Sequence, residues 1–371
     1  MKDPGDTGSS DTTSSTGNSA STSSTRLDDA ALGRLRPLAF TVAYRMLGSV
    51  AEAEDVVQEA LTRVSQAEGL RNPDAFVTTV TTRIAIDVLR SARVRRESYV
   101  GAWLPEPLVG PLPSGLPSGL PVAMATAPPD AAAHAELADD LSTAFLVLLE
   151  TLTPTERAAF LLHDVLGFPH SDAADVIGTS EVAARQLVSR ARRRIARQRG
   201  DVVEGVQPAR QTGDRARADQ LVAKFLATCE DGEVDPLLEL LAQDVVLTGD
   251  GGGKVPPGMS ISRPIAGREK IARLLAGFMH RGAPLHFEHA LVGGEPGLLI
   301  VADDVVGGGL VGTWSFEVSD GVIAGIRGVI NPEKLRHLGP LADLDRLQAS
   351  LKSARLENAR LKGTRANRHD Q

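Results

Sequence analysis

Val246–Val255 reads VLTGDGGGKV, and a glycine run closed by a lysine is the raw material of a phosphate-binding loop. Such a loop needs G-x-x-x-x-G-K-[ST] between a strand and a helix, because backbone N–H groups and the helix terminus hold the phosphates together. Here Thr248 stands in the first glycine's place, Val255 in the hydroxyl's, and Pro256-Pro257 where the helix should begin. Nucleotide chemistry fails on all three counts. What remains is a tight turn of Gly251, Gly252 and Gly253 between Asp250 and Lys254, able to approach another backbone closely. His286, Glu288, His289 and Asp303 join Asp250 and Lys254 as groups with acid–base capability. On a strand His286 and Glu288 share one face and His289 takes the other. No second motif fixes their relative positions, so no catalytic residue, metal or cofactor is expected.

The arginines carry a different chemistry. In SEVAARQLVSRARRRIARQRG, seven arginines between Arg185 and Arg199 are interrupted by no acid. Ser180 supplies a cap, and Val182, Leu187 and Val188 are expected to form the inward face. A helix of this kind fits the major groove, its first residues reaching base edges while later arginines hold phosphates. A second cluster comprises Arg83, Arg90, Arg93, Arg95 and Arg96, with Asp87 between Arg83 and Arg90 on one helix face. The stretch AEAEDVVQEA at 51–60 has the opposite sign, so it should address a protein.

These residues need elements to hold them. A chain of 371 residues suggests two or three domains, and its composition is that of a globular protein. The net charge of -7 conceals the clustering of basic groups, and the single Cys229 fits a reducing cytoplasm. No apolar run is long enough to span a membrane, and no membrane partner is expected. Residues 1–27 read as a disordered tail. Helical spacing covers 28–98, with Asn72-Pro73 opening the last helix. Residues 99–131 are a Pro/Gly-rich linker whose Trp103-Leu-Pro-Glu-Pro-Leu108 should dock on a domain surface. Within 132–200, Thr153-Pro-Thr-Glu156 is a capping box, and Gly178-Thr179 separates two helices at helix-turn-helix spacing. Over 212–338, helices at 221–228, 236–241 and 268–280 alternate with strand-like runs at 245–247, 285–292, 298–305, 311–318 and 322–330. From 339 to 371, apolar positions from Leu344 to Leu361 suggest a single docking helix.

Three segments, AYRMLGSVAEAEDVVQEALTRV, TTVTTRIAIDVLRSARVRRESYVG and LTPTERAAFLLHDVLGFPHSDAADVIGTSEVAARQLVSRARRRI, occur in an order that resembles the extracytoplasmic-function sigma factors of bacterial RNA polymerase. The resemblance covers about residues 30–200. It implies that Asp55, Val56, Gln58 and Glu59 of a sigma-2 domain contact core RNA polymerase. Arg83, Asp87, Arg90 and Arg93 would act on the minus-10 element, and Ser180, Glu181, Arg185, Gln186 and Arg190 of a sigma-4 domain on the minus-35 element. Phe76-Val77 stands where relatives often carry tryptophan-leucine.

WLPEPL, DGGGK and Asn331-Pro-Glu-Lys-Leu335 resemble the signatures of a sigma-J-like subgroup with a C-terminal SnoaL-like domain, Glu333 replacing the usual aspartate. The fold implied is two all-α domains followed by an α+β cone with a curved antiparallel sheet. Trp103, Leu104, Pro105, Asp250, Gly251, Gly252, Gly253, Lys254, Asn331, Pro332, Lys334 and Leu335 would then make regulatory contacts between the C-terminal domain, sigma-2 and the linker. Asn331-Pro332 also reads simply as a helix start. The implied partners are core RNA polymerase and promoter DNA, with a small-molecule ligand of the cone left open. Two alternatives stand: a helix-turn-helix regulator independent of core polymerase, and a SnoaL-like enzyme with a DNA-binding appendage.

Overall fold

The computed structural model describes residues 26–110, 142–199, 212–231, 234–279 and 284–353. The expected tail up to residue 25, the linker from 111 and the C-terminal segment from 354, with Leu361, lie outside the described residues. Helix α1 (Asp29–Leu47) starts where the Asp28 carboxylate accepts the Ala31 N–H and ends at Gly48, whose φ of 65° no branched residue adopts cheaply. Ser49 caps α2 (Val50–Gln66), and Asn72 accepts the Ala75 N–H at the head of α3 (Pro73–Glu97). Fully buried Ala39, Ala43, Ala53, Ala60 and Ala85 let these helices pack closely around Leu47, Val57 and Val77.

Helix α4 (Thr143–Leu149) precedes α5 (Pro154–Phe160), which opens on the complete Thr153–Glu156 capping box and runs into a wider turn at Leu161–Val165. Helix α6 (His170–Ile177) stops at left-handed Gly178, and α7 (Glu181–Arg199) follows. Leu146, Leu149, Phe160, Ala191 and Ile195 belong to the same buried cluster as the α1–α3 residues. The two helical blocks therefore share one core.

The third body wraps α8 (Thr212–Asp231), α9 (Val234–Leu240) and α10 (Arg268–Met279) with a sheet of order β1-β4-β5-β6-β7-β2-β3. Its strands are β1 (Val109–Gly110), β2 (Leu241–Asp250), β3 (Ile265–Ala266), β4 (Leu285–Val292), β5 (Glu295–Ala302), β6 (Leu310–Ser319) and β7 (Val322–Val329). All pairings are antiparallel except β2 with β7, because β2 is entered from α9 and no hairpin reverses it against β7. Polar Gln243 and Asp244 conceal the start of β2, so the strand is longer than its apolar run and takes in Leu241 from the expected helix. The concave face is filled by Phe225 against Phe316 at 5.3 Å and by Leu298, Ile300 and Leu347, the last from the helical residues 344–353. On the convex face Leu104 joins Ala290, Val292, Leu299, Leu335 and Leu338, with Val147 of α4 packed against them. A short stretch of linker and one face of α4 thus meet the outside of the sheet.

Candidate functional site

Strand β2 delivers Asp250 to a place with no solvent exposure. One carboxylate oxygen accepts the Tyr99 hydroxyl at 2.5 Å; the other accepts the Leu104 N–H at 2.8 Å and the Lys334 ammonium at 2.7 Å. Lys334, also buried, donates to the Leu104 carbonyl and lies 4.0 Å from the Trp103 ring centroid and 5.0 Å from that of Tyr99. The pair is thus compensated by hydrogen bonds and aromatic faces, the condition under which a buried ion pair is tolerated. Burial first, and then donation to Asp250, push the Tyr99 hydroxyl pKa up, so it stays a donor. Asn331 donates to the Tyr99 oxygen at 2.9 Å and caps α11 (Pro332–Leu335) by accepting the Glu333 N–H. The helix-start reading and the contact reading of Asn331 therefore hold together.

The glycine turn is shaped by the same junction. A Cβ on Gly252, at φ 57°, would lie 2.3 Å from the Asn331 amide nitrogen and 2.7 Å from the Tyr99 oxygen; one on Gly253 would meet Val100 at 3.1 Å. Lys254 pairs with Glu333 at 3.3 Å, so the glutamate in place of aspartate still reaches its cation. No phosphate cradle is formed.

The linker holds the first helical block with its other side. The Glu106 N–H donates to the Gly48 carbonyl at 2.8 Å, and the Glu106 carboxylate accepts from the Ser49 hydroxyl and the Val50 N–H at the head of α2. An anion at that helix terminus is favourable. Tyr44 donates to the Glu106 carbonyl at 2.5 Å, and Trp103 covers Gly48 so closely that a Cβ there would lie 2.8 Å from the ring. His337 donates to the Pro107 carbonyl, and Val109–Gly110 pairs with the β4 edge. The sequence does not single out Tyr44, Gly48, Tyr99 and His337 for this junction, and it offers Glu106 only as part of the docking stretch Trp103–Leu108. Yet the chain has only two tyrosines, flanking the acidic and arginine-bearing segments, and both hydroxyls serve this junction.

The residues assigned to polymerase and promoter are differently disposed. On α2, Asp55, Gln58 and Glu59 are exposed, whereas Val56 is buried in the shared core and presents nothing to a partner in this state. On α3, Asp87 and Arg90 pair at 3.2 Å, and the Arg93 side chain lies outside the described residues. Arg83 reaches the second block, donating to the carbonyls of Asp175 and Val176 at 2.8 and 3.0 Å. These are last-turn carbonyls of α6, which lack helical partners. Beside Arg83 an open groove of about 320 Å³ is lined by Glu59, Arg63, Asp87 and Ser91.

On α7, Ser180 accepts the Ala183 N–H, Glu181 pairs with Arg185 at 2.5 Å, and Gln186 is exposed. Buried Glu156, the capping-box acid, lies 3.6 Å from Arg190 and 3.1 Å from Arg194. Asp164 takes Arg192 at 2.5 and 2.9 Å, and that hydrogen bond raises the arginine's pKa. The inward face is Ala184, Val188, Ala191 and Ile195; Val182, expected inward, is 66 % exposed. The apolar count misled there because Val182 lies two residues before Ala184, about 200° around the helix.

The acid–base set does not converge. His286 bonds Asp303 at 2.9 Å and lies 3.3 Å from Glu288, on an exposed part of β4. Asp250 ends β2 and Lys254 follows it, with β5, β6 and β7 between them and β4, roughly 19 Å along the sheet. Hydrogen bonding to Asp303 leads the effects that raise the His286 pKa, while burial lowers that of His289 on the opposite face. Among the described residues no cluster of three or more metal-ligating side chains is formed, and no helix is long and apolar enough to cross a membrane.

Residues 32–95 match the family Sigma-70 region 2, and residues 142–195 match Sigma-70, region 4. The chain is 38% identical over 308 residues to the ECF RNA polymerase sigma factor SigJ of Mycobacterium tuberculosis, covering 81% of this chain and 90% of that protein. The probable ECF sigma factor SigI of the same organism is 31% identical over 54% of this chain and 62% of its own length. The crystal structure of M. tuberculosis SigJ superposes with a TM-score of 0.63 at 32% identity, over 85% of this chain and 100% of that one.

Two outcomes follow from this geometry. Lys334→Ala leaves the Asp250 carboxylate buried without its cation and should cost about 3–5 kcal/mol in denaturant unfolding. In a Trp314→Phe background the same change should red-shift Trp103 fluorescence, and Asp250→Asn with Lys334→Met should restore much of both. In an NMR titration His286 should deprotonate at a higher pH than His289. A raised folded pKa means the ion pairs of His286 stabilise fully below the unfolded value of about 6.5 and fade as pH rises through the folded value. With the His286 side chain 52% exposed, that contribution is small.

Proposed function

The chain belongs to the extracytoplasmic-function RNA polymerase sigma factors, and from that premise we propose that it binds core RNA polymerase and directs promoter-specific transcription initiation, tuned in cis by its C-terminal domain. The working division is sigma-2 over 28–98, linker over 99–131, sigma-4 over 132–200 and the SnoaL-like domain over 212–338. The protein acts in the cytoplasm, where core polymerase and promoter DNA are found, and does no catalysis of its own. The exposed acids Asp55 and Glu59 with Gln58 address the polymerase. Exposed Arg90 and α7 address the two promoter elements.

The observation that carries cis regulation is the Asp250–Lys334 latch on the linker, because the same linker caps α2 through Glu106. A domain that holds the linker there restricts how far sigma-2 and sigma-4 can separate. Arg83 is engaged with α6, so reading both promoter elements requires the two helical blocks to part. The latch biases that equilibrium.

Reversing charge at Asp55 and Glu59 together should reduce co-purification with core polymerase about tenfold or more. A regulator that acts without polymerase would be indifferent to the change. Ending the chain at residue 200 should alter run-off transcription, and Asp250→Ala in the full chain should shift the preferred spacing between promoter elements in the same direction. Unchanged output and spacing in both variants would overturn regulation in cis.

A further inference from the structure

Among the described residues Val182 is one of few large apolar side chains on the surface, 66% exposed in the first turn of α7. Isolated exposed valines are ordinary on protein surfaces; this one is distinguished by its position. The packing of α7 is supplied by Ala184, Val188, Ala191 and Ile195, so Val182 adds nothing to the core. It starts an outward row continued by Gln186, Ser189 and Arg193, all exposed. The neighbouring cations are drawn aside: Arg185 to Glu181, Arg190 and Arg194 to Glu156, Arg192 to Asp164. The outward row at the head of the helix therefore presents one branched apolar group and one amide, flanked by the exposed Glu181–Arg185 pair.

We infer that Val182 is a specificity-determining residue that packs on the C5-methyl group of a thymine in the upstream promoter element. The inference rests on the proposed reading of that element by α7. The thymine methyl is the one apolar feature of the major-groove edges, and a side chain of this kind has no hydrogen bond to offer any other base. Gln186 lies four residues on, about 6 Å along the axis, and its amide matches the N6/N7 edge of adenine. The two side chains together call for a thymine and an adenine separated by one or two base pairs. A β-branched residue is also a poor choice for an exposed helix position on propensity grounds, so nothing in the local fold demands it.

The test uses the full chain with core polymerase on randomised upstream elements, followed by uracil replacement of each enriched thymine. Wild-type protein should prefer thymine to uracil at one position by about fourfold, the worth of a single buried methyl group. Val182→Ala should bring that ratio below about twofold and relax the selected base there, while Val182→Ser should reduce it further. Circular dichroism should show both variants folded. Enrichment with equal thymine and uracil binding, or a ratio unchanged in Val182→Ala, overturns this inference alone. A wild-type chain that enriches no sequence overturns the promoter reading, and this inference with it.

Discussion

A carboxylate removed from water must be met by donors, and Asp250 has no solvent at all. The three donors to its carboxylate come from three places: the Tyr99 hydroxyl beyond α3, the Leu104 backbone N–H in the linker, and the Lys334 ammonium on α11. Satisfying one charge therefore fixes the relation of a linker and a terminal helix to the end of β2. The backbone of Asp250 reinforces the junction, its carbonyl accepting the N–H groups of Ile330 and Asn331. Most of what surrounds it is a consequence. Gly252 must be bare because Asn331 and Tyr99 are already there, and Trp103 lies over Lys334 because the ammonium has come to the carboxylate.

A similar economy joins the helical blocks. Arg157, buried in the second block, donates to the Met46 carbonyl at the end of α1, and Arg83 of the first donates to the end of α6. Each arginine meets carbonyls that a helix leaves without partners, where a cation is also favoured electrostatically. Glu106 does the converse at the start of α2. The joints between elements are thus largely side-chain charges set on helix ends, and such joints can be exchanged for water or for a partner more readily than a buried apolar seam. The seam itself is the shared core of Phe160, Ala191, Ile195 and the α1–α3 residues, so separating the blocks exposes apolar surface that another surface must cover.

Local signals were legible where one residue type has one physical use. Thr153-Pro-Thr-Glu156, Asn72-Pro73 and Asn331-Pro332 start helices as their caps dictate, and Gly178 ends one. The strands were legible from their apolar runs, but not the parallel placement of β2, since pairing direction depends on a path through space rather than on composition. Burial of Asp250 was hidden because an aspartate beside three glycines reads as a turn residue, and only the distant Lys334 and Tyr99 reveal otherwise. Val182 counts as apolar at the start of a basic helix and so reads as core, yet it is exposed; Val56, which the family resemblance places among the polymerase contacts, is buried in the shared core.

Arg190, Arg192 and Arg194 of α7 read as unopposed in the sequence because the acids that meet them lie elsewhere in the chain. Glu156 closes a capping box at the head of α5 and, from the same buried carboxylate, approaches Arg190 and Arg194. Asp164, in the turn after α5, takes Arg192 with two hydrogen bonds. Part of the positive charge is thereby spent on fixing the axis and rotation of α7 against α5. Since α5 also carries Arg157 into the joint with α1, the orientation of α7 is referred back to the first helical block. The acids that seem to dilute a basic surface are what make its geometry definite.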